Sequence, residues 1–176
     1  VMFSPGNKAE RARMGDIVGT GERVLDMFAG IGYFTLPMAR AGAAVTAVER
    51  NPDSFAYLVE NVVRNGVQES VETYRADCRD VVAGGIESEE GFEFDRVVMG
   101  YYDAYEYLDS ALAALAPGGT VHMHEATPEA LVPERPVERL EAAAADADRT
   151  VEVLETRTVK GYSEGVSHLV VDARID

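Results

Sequence analysis

Asp26-Met27-Phe28-Ala29-Gly30-Ile31-Gly32 joins an apolar run, Arg23 to Met27, to a segment of helical period, Tyr33 to Ala41. A strand that turns sharply into a helix needs residues without a Cβ at the turn, and such residues also let the backbone approach a ligand closely. The same alternation repeats outward from this joint. Ala44 to Val48 reads as a second strand, Asp53 to Asn65 as a helix opened by Asn51-Pro52 and closed by Asn65-Gly66, and Val71 to Arg75 as a third strand. Phe94 to Met99 predicts a fourth strand, and Ala104 to Ala116 a helix halted by Pro117-Gly118-Gly119. Thr120 to His124 predicts a fifth strand, and a helix follows within Pro136 to Ala147. Val151 to Lys160 and Gly165 to Arg174 predict an antiparallel hairpin around Gly161 to Gly165. Strands alternating with helices build a doubly wound sheet, so the expected fold is α/β: a mostly parallel seven-stranded sheet finished by an antiparallel C-terminal hairpin. Residues 1–22 read as a lead-in segment with a motif of its own and residues 23–176 as one domain, with Gly84-Gly85 to Gly91 as a loop.

The loop says what kind of ligand to expect. A dinucleotide fingerprint places a third glycine where this chain has Thr35, and that glycine permits close packing beneath a pyrophosphate. Without it, and with the acid Asp26 at the start, the loop suits a cationic nucleoside lacking phosphates, S-adenosylmethionine. The expected architecture is therefore the Rossmann-like fold of class I S-adenosylmethionine-dependent methyltransferases, with Asp26, Gly30 and Gly32 at the cofactor. Glu49 ends the second strand about twenty residues beyond the loop, where a carboxylate accepts hydrogen bonds from ribose hydroxyls. Asp77 and the Cys78 backbone N–H, just past the third strand, are placed for the adenine amino group and a ring nitrogen; Asp77-Cys78-Arg79-Asp80 also reads as a helix N-cap. Gly100-Tyr101-Tyr102, at the carboxyl edge of the fourth strand, offers a flexible glycine and rings able to stack on a flat base, or to pack in the core. It lacks the Asn/Asp-Pro-Pro-aromatic turn of nucleic-acid amino-methyltransferases and the Asn-Leu-Pro turn of tRNA guanine-N1 methyltransferases. Asp26, His122, His124 and Glu125 are candidate general bases, although histidines on an apolar strand are more often core residues with satisfied hydrogen bonds, which leaves catalysis to positioning.

Charge bears on the partner. Thirty-one acidic against 16 basic residues give a net charge of −15, the reverse of a nucleic-acid binder's footprint. Contact with phosphate then requires salt that screens repulsion, or contacts from a part of the protein outside this chain. Acids cluster at Glu87, Glu89, Glu90 and Glu93 and at Glu141, Asp146 and Asp148, while Lys8 and Lys160 are the only lysines, a composition expected of a halophile. The single cysteine, Cys78, excludes an internal disulfide framework, and with three histidines beside it no metal site is expected. No run of eighteen apolar residues and no signal-peptide pattern occurs, so a cytoplasmic protein is expected. The opening Val1-Met2-Phe3-Ser4-Pro5 begins in mid-motif, as a piece of a longer protein would.

Three segments, Met2 to Arg11, Asp26 to Pro37 and Val98 to Tyr101, together with Arg135-Pro136 and Gly165 to Asp172, resemble the archaeal tRNA wybutosine-synthesizing protein 2 family, relatives of the tRNA guanine-N1 methyltransferases. The resemblance implies transfer of the 3-amino-3-carboxypropyl group of S-adenosylmethionine to C7 of 4-demethylwyosine in tRNA-Phe, releasing methylthioadenosine. It implies cofactor contacts from Ser4, Arg11, Glu49, Asp77 and Cys78. A sulfonium has three carbons open to attack, so the pinning of the methionine tail selects the product. Arg11 and Ser4 are suited to that pinning, while Arg11 alone would read as a surface ion pair with Glu10 or Asp16. The family's longer N-terminal region, expected to help grip tRNA, has no counterpart in this chain. The alternatives are a guanine-N1 methyltransferase and a noncatalytic S-adenosylmethionine-binding module.

Overall fold

In the computed structural model, residues 5–84 and 93–176 are described. Ser4 and the stretch from Gly85 to Gly91 lie outside them. The sheet has seven strands, β1 (Arg23–Asp26), β2 (Ala44–Val48), β3 (Val71–Tyr74), β4 (Phe94–Met99), β5 (Leu115–Pro128), β6 (Val151–Ser163) and β7 (Val166–Ile175), in the order β3-β2-β1-β4-β5-β7-β6. The first five run parallel, and β7 lies antiparallel to both β5 and β6. The order reverses between β1 and β4, which opens a crevice at their carboxyl ends.

The helices are α1 (Pro5–Ile17), α2 (Thr35–Arg40), α3 (Pro52–Arg64), α4 (Cys78–Gly84), α5 (Leu108–Ala114) and α6 (Glu134–Asp146). Alternation along the central strands makes two apolar layers. Val24 and Val98 join Met14, Leu36 and Leu58 on one face, while Leu25, Val97 and Met99 join Leu108, Leu112 and Leu140 on the other. α3 starts as expected, because the Asn51 side chain accepts from the Asp53 and Ser54 N–H groups (both 3.0 Å) ahead of Pro52. Among the described residues no helix is long and apolar enough to cross a membrane.

Four local expectations change. The lead-in carries α1, held by burial of Met14 and of the Glu10 carboxylate. Its start rides directly on β6, where a Cβ on Gly6 would stand 1.9 Å from the Val159 carbonyl oxygen. The helix expected over Ala104 to Ala116 divides into a 3-10 turn, Ala104–Tyr107, and α5. β5 begins at Leu115, before the Pro117-Gly118-Gly119 stop, because pairing with β4 jumps from Phe94↔Leu115 to Arg96↔Thr120 and the intervening residues bulge. The hairpin runs longer than expected, turning on Glu164 and Gly165 alone (Gly165 φ 69°), with register shifts along β6 absorbing the extra residues.

Candidate active site

The loop after β1 makes its turn with Gly30 and Gly32 at φ 56° and 94°, a region that L side chains rarely enter. Beneath it Asp26 is fully buried and accepts the Thr35 hydroxyl at 2.7 Å. Burial drives its carboxyl up to about 6, the Thr35 and backbone hydrogen bonds opposing the rise. Thr35, the residue in place of the third glycine, thus braces the acid that opens the loop. Asp26 supports the loop from below and does not line the hollow above it.

Two hollows meet over this loop and share Phe28 and Gly100 in their walls. The first, about 260 Å³, is lined by Glu49, Asp77, Cys78, Gly100 and Tyr101. Glu49 accepts the Gly30 N–H at 2.9 Å and the Asn51 N–H at 2.6 Å, one on each oxygen, so it is fixed with lone pairs to spare. Asp77 caps α4 by accepting the Arg79 N–H at 3.0 Å. The Arg79 guanidinium grips both its oxygens, at 3.0 and 2.8 Å, and holds its carboxyl below the usual range. The cap reading and the place in the wall of the hollow therefore hold together. The Cys78 thiol is buried in the core, and burial with Asp77 beside it pushes it up to about 11, a packing group and not a nucleophile. Phe28 packs edge-on against Tyr107 (4.9 Å) and tilted against Tyr101 (5.2 Å), forming an aromatic wall.

The second hollow, about 400 Å³, holds Gly30, Phe34, Tyr102, His124 and His168. The tyrosines expected to act together thus divide, Tyr101 to the first hollow and Tyr102 to the second. Tyr102 stands edge-on to His168 at 5.0 Å and to Tyr162 at 4.7 Å. His124 Nδ1 and His168 Nε2 are 2.9 Å apart. Sequence reasoning placed His168 in the segment Gly165 to Asp172 without giving it a role: its link to His124 is a cross-strand contact between β5 and β7, visible only once their register is known. A third hollow on the α1 side is lined by Lys8, Arg11, Gly32, Tyr33 and Asn61. Arg11 has its guanidinium 5.6 Å from the centre of the Tyr33 ring, which lines the second hollow as well. The acid once set against Arg11, Glu10, pairs instead with Arg13 (3.0 Å) and Arg157 (3.2 Å).

His122 and Glu125, also candidate bases, have other company. Arg96 donates to His122 Nε2 at 2.6 Å, so its Nδ1–H donates to Asp172, also at 2.6 Å. Glu125 is buried against Arg139 (2.6 Å) and the Thr127 hydroxyl (2.5 Å). Neither lines the two hollows.

Strand order, glycine loop and the acid ending β2 define a Rossmann-like protein of the class I methyltransferase type. The TRM5/TYW2 methyltransferase domain family matches residues 1–154, and the chain belongs to that family. A tRNA(Phe) (4-demethylwyosine(37)-C(7)) aminocarboxypropyltransferase of Pyrococcus horikoshii is 38% identical over 177 residues, covering 99% of this chain and 61% of the relative. The enzyme of the same name from Methanocaldococcus jannaschii is 40% identical over 179 residues, covering 100% and 69%. A crystal structure of M. jannaschii TYW2 in complex with AdoMet superposes with a TM-score of 0.88 at 40% identity, covering 100% of this chain and 78% of that one. The chain spans about six- to seven-tenths of the length of these curated relatives.

Proposed function

We propose that the protein transfers the 3-amino-3-carboxypropyl group of S-adenosylmethionine to C7 of 4-demethylwyosine in tRNA-Phe. The observation that carries this reading is the pair of hollows with a common wall at Phe28 and Gly100, so that a group seated in one faces a ring seated in the other. That arrangement belongs to a chain whose relatives at 38–40% identity carry this activity in their names.

The residues of the first hollow fit the cofactor. Glu49 lines it with lone pairs to spare, while Asp77 is already paired with Arg79 and with Arg50 of the same wall, so the fit lies in hydrogen-bond acceptors for hydroxyl and amino groups. Glu49 receives the ribose hydroxyls, and the Asp77-Cys78 edge meets adenine. Ser4 and Arg11 hold the methionine tail carboxylate, Arg11 from the α1 side of Tyr33. The bound cofactor supplies an electrophilic carbon next to a positively charged sulfur. The chain's work is to fix which of the three such carbons faces the acceptor, a matter of positioning. Tyr102 and Phe34 give the second hollow ring faces suited to an unstacked base. Grip on the rest of the tRNA falls to the part of the relatives' length that this chain does not span, outside the lead-in of residues 1–22 and the domain of residues 23–176. The acidic, lysine-poor composition favours a cytoplasmic setting in a halophilic archaeon, where salt screens the repulsion between a net charge of −15 and phosphate.

Mass spectrometry of the small-molecule product tests the reaction. Methylthioadenosine is expected on incubation with tRNA-Phe bearing 4-demethylwyosine; S-adenosylhomocysteine would make the protein a methyltransferase, and binding without turnover a carrier module. Glu49→Ala is expected to weaken cofactor binding at least about tenfold, since it removes a charged acceptor and frees the Gly30 N–H. Unchanged affinity by calorimetry would refute the ribose assignment.

A further inference from the structure

We propose that His124 and His168 form a two-imidazole relay that takes the proton from the acceptor carbon in the second hollow and carries it away. The inference rests on the transfer reaction proposed above and supplies the base that reaction leaves unnamed. Both rings line the second hollow and both are nearly sealed from solvent, at 2% and 4% exposure. Their facing nitrogens are 2.9 Å apart, while the outer nitrogens, His124 Nε2 and His168 Nδ1, have no hydrogen-bond partner among the described residues. Buried polar atoms without partners are costly and uncommon, and two at the ends of one hydrogen-bonded pair mark a place where a ligand completes the pattern.

The pair has only two neutral arrangements, because the contact between the rings uses exactly one N–H. If His124 Nδ1–H donates, then His124 Nε2 is bare and His168 Nδ1 carries a proton; if His168 Nε2–H donates, the reverse holds. Moving a proton from one end to the other converts the first arrangement into the second. Burial, with the second imidazole beside it, holds His124 down to about 3, and burial with Lys160 nearby holds His168 down to about 4, so the pair rests uncharged.

Neutral rings with little appetite for a proton suit this step. When C7 of the acceptor attacks the carbon beside sulfur, the C–C bond forms, the C–S bond breaks, and its electron pair stays on sulfur in neutral methylthioadenosine. The positive charge then lies on the acceptor ring, whose C7–H is strongly acidic. That proton passes to His124 Nε2, the His124 Nδ1–H passes to His168 Nε2, and His168 releases its Nδ1–H to water on product departure. Aromaticity returns to the base and both imidazoles end neutral; with product gone, water protonates His168 Nδ1, the shared proton returns to His124 Nδ1, and His124 Nε2–H leaves to water, restoring the first arrangement. Phe34 at 5.3 Å from His124, and Tyr102 edge-on to His168, hold the two planes for the exchange.

The test uses the full-length protein with tRNA-Phe bearing 4-demethylwyosine. His124→Gln is expected to lower kcat at least about 100-fold with little change in the KM for S-adenosylmethionine, the scale of a lost general base. With C7-deuterated acceptor, the variant shows a primary isotope effect that wild type lacks, since proton removal becomes the slow step. His168→Gln lowers kcat less, and adding it to His124→Gln lowers kcat no further. Without substrate, long-range 1H–15N NMR of wild type is expected to show two neutral rings sharing one N–H near pH 6. A His124→Gln enzyme within about threefold of wild-type kcat, or a charged ring in the NMR spectrum, overturns the relay. So does multiplicative loss in the double variant. Wild type that makes no methylthioadenosine sinks the reaction itself, an outcome separate from these.

Discussion

His122 and His124 stand two residues apart on the same face of β5, equally buried, and differ in what their nitrogens meet. Around His122 every valence is closed. Asp172 and Arg96 take its two nitrogens, and Asp172 also holds Arg13 at 2.9 Å and Arg157 at 3.0 Å. Those arginines bind Glu10 in turn, so the cluster fastens α1 to β6 and β7. Around His124 the valence closes on one side only, in a ring that lines a hollow. The same residue type, at the same depth, is structural where the fold completes its hydrogen bonds and chemical where the fold leaves them for a visitor.

The contrast can be broken from the closed side first. Asp172→Asn leaves Arg13 and Arg157 with one fewer anion in a buried cluster and weakens the His122 contact, and is expected to cost about 3–5 kcal/mol in chemical denaturation. A cost below about 1 kcal/mol would show the network to be ornamental. From the open side the expectation reverses. Replacing the pair together, His124→Phe with His168→Leu, removes two orphaned nitrogens and should leave stability within about 1 kcal/mol of wild type, or raise it, while abolishing turnover. A loss as large as that for Asp172→Asn would make the pair structural after all.

The last test is in pH. His124 and His168 have depressed pKa values in the fold, about 3 and about 4, so the unfolded chain binds their protons more readily. Their contribution to stability is complete above the unfolded value near 6.5 and is lost as the pH falls toward 4 and then 3. Asp26, raised to about 6, works in the opposite sense over part of that range. The double variant should therefore lose stability less steeply than wild type between about pH 6.5 and 4 in thermal melts at stepped pH. Parallel acid limbs would remove the titration from the account.

What could be read without coordinates follows the range of the forces. The glycine loop, the strand periods and Glu49 are local patterns; Glu49, Asp77, Cys78, Gly100 and Tyr101 line one hollow, whereas Gly30 lines the second, Gly32 the third and Asp26 none of them. α1 was not legible because its buried face presents one apolar residue, Met14, beside an acid, Glu10, whose partner Arg157 lies 147 residues away. His168 was hidden for the same reason, its partner being 44 residues distant on another strand. Bulges, which let β5 run through Pro117-Gly118-Gly119 and lengthen the hairpin, break the period that strand reading depends on.

The contact of Gly6 with the Val159 carbonyl bears on modularity. One turn further along α1, Glu10 grips Arg157, so two anchors on neighbouring β6 residues stop the helix from sliding or rotating. α1 supplies Asn7 to the second hollow and Lys8 and Arg11 to the third. The width of both is thus dictated by a hairpin lying far along the chain. Helix and hairpin form one cassette: in a chimera between relatives they must travel together, because exchanging either alone would replace some lining residues and shift the rest.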